Sequence, residues 1–197
     1  MLSGSNLGFS HMNDSVLLWI VCAVLVFWFV GAYNRLVRLR AKAIASFALL
    51  EGLFDQYIVA VRAHGLGLGS QQLLDDCATQ NDGFLIAWQG LSAAVEQFGA
   101  SLRAVHLQPL DGPAMSALST AHGTLGLSWE RLRCLPDDLA GPTLPDDFLA
   151  QWAHITIQVE MAQSEFNRLV LDYNEAIGQF PALLLAWIFD FKPAQSI

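Results

Sequence analysis

The chain has 197 residues, 54% of them hydrophobic and 14% charged, a composition too apolar for disorder and a length that holds about one domain plus an appendage. Eighteen acidic residues against ten basic ones give a formal charge of −8, the wrong sign for covering nucleic-acid phosphates, so no nucleic-acid partner is expected. Cys22, Cys77 and Cys134 form no CxxC pair; they fit neither a disulfide framework nor a zinc knuckle and read as small hydrophobes.

The first element lies at residues 16–33, VLLWIVCAVLVFWFVGAY, which carry no charge. At 1.5 Å per residue this helix covers about 27 Å, near the hydrocarbon thickness of a bilayer, and buried helices of soluble proteins seldom stay apolar on every face for so long. A cleaved signal peptide fits poorly, because residues 1–15 contain no Lys or Arg and no A-x-A site follows the run. Trp19, Ile20 and Val21 before Cys22 provide no small residue for a lipoprotein cleavage site. The segment therefore reads as an uncleaved transmembrane helix. Arg35, Arg38, Arg40 and Lys42 follow it directly and no basic residue precedes it. That asymmetry predicts a short extracytoplasmic head, residues 1–15, and a cytoplasmic domain, residues 34–197. The four cations form a collar that either contacts anionic lipid or serves only as a topology signal. Beyond residue 42 the chain has six basic and seventeen acidic residues, so the collar sits under an acidic body.

Leu36, Leu39, Ala43, Phe47, Leu50, Phe54, Tyr57 and Val61 continue at steps of three and four, which extends the same helix to a predicted stop at Gly65 in GLGLGS. Ser70 is then expected to cap a second helix, with Asn81, Asp82 and Gly83 as an interruption and Phe84, Trp88, Leu91, Val95, Phe98, Leu102 and Val105 as its stripe. LQPLDGP ends it. Asp111 or Gly112 can cap a third helix with Pro113 in its first turn, bearing Met115, Leu118, Ala121, Leu125, Trp129 and Leu132. Residues 136–147, with three prolines and four aspartates, read as a nonhelical connection. The fourth helix carries Phe148, Trp152, Ile155, Val159, Ala162, Phe166, Leu169, Tyr173 and Ala176, a strict alternation of four and three. Such a coiled-coil-like seam favours long, nearly parallel helices. The expected fold is all-α: one transmembrane helix continuing into an antiparallel bundle of about four long helices.

No catalytic or metal constellation emerges from the pattern. His11, His64, His106, His122 and His154 lack the Glu-x-x-His spacing that a carboxylate-bridged metal pair needs. GLGLGS has no following Lys and no preceding strand, so it is no phosphate loop. The acids beside Cys77, Asp75 and Asp76, oppose a reactive thiolate. Asp137, Asp138, Asp146 and Asp147 lack the ligand spacing of a calcium loop and are explained by helix capping.

Two segments, YNRLVRLR from Tyr33 and LVLDYNEAIGQFPALLLAWIFDFKP near the other end, resemble the LemA family of bacterial membrane proteins. The positions carrying the resemblance are Tyr33, Asn34, Leu36, Val37, Leu39, Arg40, Tyr173, Asn174, Phe180, Pro181, Ala186, Phe191 and Lys192, with Phe166 and Asn167 as a second aromatic-Asn step seven residues before Tyr173. It covers about residues 16–54 and 146–193. Asp55, Gln56 and Tyr57 stand where the family has a basic cluster, Gln163 where it has an Arg, and Asp190 where it has a glycine, so the chain resembles a divergent member. The resemblance implies a helical protein of the bacterial inner membrane with no established catalytic reaction.

The resulting expectation is a membrane-anchored interaction or scaffold protein, not an enzyme and without a cofactor, whose partners are the lipid bilayer and a membrane or cytoplasmic protein. The alternatives are an enzyme or metal-dependent protein whose site is scattered in the sequence, and a bundle that senses a small ligand. Residues 180–191, FPALLLAWIFDF, are too short to span a bilayer. Pro181 is expected to break the fourth helix, and the segment then either lies at the membrane, with Trp187 at head-group depth and Lys192 beside anionic lipid, or folds back as a lid over the bundle core.

Overall fold

A computed structural model describes residues 7–72, 82–135 and 144–197, with side chains over 16–65, 83–135 and 144–197. Five helices follow in order: α1 (Leu7–Gln72), α2 (Asp82–Leu107), α3 (Gly112–Arg133), α4 (Asp146–Gly178) and the short α5 (Ala182–Ile188). No strand occurs among the described residues. The all-α bundle is thus the fold, with an apolar N-terminal helix that runs on into it.

The 66 residues of α1 rise about 100 Å, far longer than the other helices. Its N-terminal stretch is long and apolar enough to cross a membrane: an 18-residue window has mean hydropathy 2.5 and none of it is buried. The collar-side half enters the core instead. Leu36, Ala43, Phe47, Leu50, Phe54, Tyr57 and Val61 are buried there, with Leu39 packed at the edge. The helix does not stop at Gly65, and Ser70 does not begin a second helix; α1 continues to Gln72 and α2 starts at Asp82. No glycine among the described residues has a positive φ, so glycine here tolerates the helix at a cost of about 1 kcal/mol each and does not terminate it.

The third helix begins as its sequence indicates. Asp111 is the N-cap, its carboxylate accepts from the Ala114 amide at 3.2 Å, and Pro113 lies in the first turn, where no amide is required. Helix α4 departs in one detail: Pro145 is its N-cap and makes no side-chain hydrogen bond, while Asp146 and Asp147 lie exposed in the first turn. They complement the helix dipole and do not cap. Asp75, Asp76, Cys77, Asn81, Asp137 and Asp138 lie outside the described residues, as does the side chain of His11.

Helix pairs Phe54–Phe98 (centroids 5.0 Å), Phe47–Phe166 (5.7 Å) and the stacked Trp129–Trp152 (4.2 Å) tie α1 to α2, α1 to α4 and α3 to α4. Helices α2 and α3 are shorter than α1 and α4. Their connecting turn lies about two-thirds of the way along α1, level with Glu51, which meets His106 of α2 at 2.9 Å. Below that level α1 and α4 continue as a pair, with Leu36 and Ala43 of α1 and Val170, Tyr173 and Ala176 of α4 all buried. Two helices alone cannot shield a core, and the C-terminal tail supplies the missing cover.

Candidate functional site at the collar end of the bundle

Helix α4 ends at Gly178, and Pro181 forms the N-cap of α5, so the break expected at this proline is present. The turn sets the chain against the lower part of α1. The Phe180 ring meets Trp28 edge-on at 5.2 Å, and Tyr33 packs against Phe189 and Phe191 at 5.3 and 6.3 Å. On α1, at 100° per residue, Arg35, Arg38 and Lys42 share an arc away from the buried stripe and Arg40 borders it. Arg40 accordingly lies over the Phe191 ring, 5.9 Å from its centroid, within reach of a cation–π attraction. Among the described residues no carboxylate pairs with any of the four collar cations.

The repeated aromatic-Asn step has a mechanical meaning. Phe166 and Tyr173 point into the core, which places the following Asn167 and Asn174 on the flank facing the tail. The Asn174 amide donates to Ala194 O at 2.8 Å and accepts from Ala194 N at 2.9 Å. Asn167 repeats that exchange with Ile197, at 2.8 and 3.0 Å, and Gln163 adds a donor to Ile197 O at 2.7 Å. Seven helical residues rise about 10.5 Å, and three extended residues cover about 10 Å. The two repeats therefore fall into register, and the tail runs as an extended segment along α4. Tyr173 donates to Lys192 O at 3.3 Å; burial pushes its phenol above the usual value, against the opposing pull of Arg40. We call this arrangement the tail latch.

Helix α5 divides into two faces. Ala182, Leu185 and Ala186 are buried against the bundle, whereas Leu183, Leu184, Trp187 and Ile188 are open, Trp187 by 85%. The segment thus closes the collar end of the core on one side and presents an unpartnered apolar face on the other. Lys192 is exposed and pairs with Asp190 at 3.5 Å. Asp190 adopts φ 52°, the left-handed conformation in which glycine is free of strain.

Of the residues singled out in the sequence, Tyr33, Arg40, Tyr173, Asn174, Phe180 and Pro181 are brought into this corner. Leu36 is core, and Asn34, Arg35, Arg38 and Lys42 are exposed on α1. Sequence reasoning missed the latch, although Gln163, Asn167 and Asn174, spaced by four and seven, were a usable signal.

A second concavity, of about 350 Å³, opens between α3 and α4 beside Tyr57, His122, Trp129 and Trp152. Tyr57 donates to Thr156 at 3.0 Å. Burial beside Phe54 and Phe98 lowers the pKa of His122. His64 contacts Ala60 O and the Phe148 ring, and His154 meets Gln158 within its own helix. Among the described residues no three His, Cys, Asp or Glu side chains cluster as a metal site.

No known family, curated protein or solved structure matches this chain.

Proposed function

We propose that this protein is a single-pass, membrane-anchored helical scaffold of the LemA type, held in a bacterial inner membrane with residues 1–15 outside and the bundle in the cytoplasm. It performs no catalysis; its acidic bundle offers a docking face to a membrane or cytoplasmic protein, while the collar and the open face of α5 rest on the bilayer. The observation that carries this reading is the convergence of the two resembling segments, Tyr33–Arg40 and Tyr173–Lys192, at one corner beside cations with no carboxylate partner among the described residues and an uncovered apolar helix. Four cations on one flank of the apolar stretch and none on the other support the orientation.

Reporter fusions at the C-terminus test it. A reporter active only in the cytoplasm should work there and one active only outside should stay silent; the reverse pattern would refute the orientation. Cross-linking in native membranes followed by mass spectrometry should then yield one reproducible protein partner.

A second reading, a bundle that senses a small ligand, draws on the aromatic crevice at Tyr57, His122 and Trp152. A saturable change in Trp152 fluorescence with a small aromatic solute, abolished by Gly126→Phe, would favour it over the scaffold.

A further inference from the structure

A groove of about 660 Å³ runs between the apolar stretch of α1 and the α4–α5 corner. Val24, Phe27, Trp28 and Gly31 form its long wall, Phe180 and Pro181 face them, and the polar side chains Arg35 and Gln179 line the same groove. From Val24 to Arg35 the helix rises about 16 Å, close to half of the ~30 Å hydrocarbon core of a bilayer. The groove therefore has the length of one leaflet, is apolar along that length, and carries its cation at the collar end.

We propose that it holds one acyl chain of an anionic glycerophospholipid from the collar-side leaflet, with the lipid phosphate on Arg35. The proposal rests on the reading of residues 16–33 as a membrane span. Charge complementarity selects the lipid: Arg35 has no carboxylate partner among the described residues, and Arg38 and Lys42 share its arc of the helix. A phosphate accepts charge-assisted hydrogen bonds from a guanidinium, and the Gln179 amide is a further donor along the groove. Size argues against a protein helix as occupant. A helix 10 Å across would displace about 1,300 Å³ over 16 Å, twice the groove, whereas the volume falls within the ~300–1,000 Å³ of small-molecule sites. Gly31 lines the groove and a Cβ there would meet nothing within 4 Å, so the space beside it is open and a large side chain at this position would occupy it.

The test uses the full chain in detergent micelles, with phosphatidylglycerol or phosphatidylcholine titrated in and bound lipid counted by native mass spectrometry. Wild type should retain one lipid and prefer phosphatidylglycerol by about tenfold. Gly31→Trp should lose the adduct with both lipids, while Val26→Trp, outside the groove, should keep it. Arg35→Gln should retain a lipid and lose the preference for the anionic head group. A Gly31→Trp protein that keeps the adduct, or an Arg35→Gln protein that keeps the preference, would overturn the proposal. Vesicle flotation of the same proteins separates the two levels. Flotation of all variants with an unchanged adduct removes the groove and leaves the span standing; failure of wild type to float removes both.

Discussion

At the scale of single residues, two side chains report conditions the fold imposes on them. Asp190 sits at φ 52°, where an L-residue is strained by roughly 1–2 kcal/mol and Asp is among the better tolerated. A β-branched side chain is tolerated worst, so Asp190→Val should lower stability by about 1–2 kcal/mol, and Asp190→Gly should be neutral or slightly stabilising. Thermal melts of the solubilised protein check both. His122 is half-buried among Phe54, Tyr57 and Phe98, and desolvation holds its pKa below 6.5. The unfolded chain therefore binds this proton first as the pH falls. Stability is complete above about pH 6.5 and declines below it, until the folded-state pKa is passed. Melting at pH 8 and pH 5 should show this decline, and His122→Gln should flatten it.

At the scale of elements, the latch and the seam contribute differently. Phe98 and Phe166 are 0% exposed, and either change to Ala should cost about 3–5 kcal/mol of global stability. The latch covers only the lower α1–α4 pair. Replacing both Asn167 and Asn174 by Ala removes four hydrogen bonds, and its effect should be local. Hydrogen exchange at residues 194–197 should accelerate by an order of magnitude or more, while the upper core around Phe54 and Phe98 stays protected. The helices themselves were legible in the sequence because a 3.5-residue period can hardly arise without a buried face; every stripe residue proposed on α3 is buried. Helix ends were less legible. Glycine permits a stop but does not impose one, so α1 passes the point where GLGLGS indicated its end. The latch left no trace in the hydrophobic pattern, since side-chain amides gripping an extended segment do not contribute to it. Its signal is the set of side-chain amides Gln163, Asn167 and Asn174 at spacings of four and seven, and the tail they hold becomes evident beside them in the structure.

At the scale of the molecule, unequal helix lengths set the design. Short α2 and α3 leave α1 and α4 to continue as a pair toward the collar, and the tail and α5 close the space that a four-helix bundle would have filled. The C-terminal segment thereby meets α1 around Trp28, Tyr33 and Arg40 and turns an apolar helix face outward at that point. The sequence posed membrane contact and a lid as rivals for residues 180–191; α5 covers the core with Ala182, Leu185 and Ala186 and keeps Trp187 outward. If the apolar stretch of α1 spans the bilayer as proposed and the uncovered face lies on it, the two enter the same leaflet, and the bundle is held at two points instead of one. The most direct test places a spin label at position 187, with Cys22, Cys77 and Cys134 replaced by serine and the full chain reconstituted in vesicles containing phosphatidylglycerol. Power saturation should show the label more accessible to oxygen than to a water-soluble nickel chelate, as for a group at or below the head groups. A label at 187 that the chelate reaches as freely as one at exposed Gln151 would contradict the account.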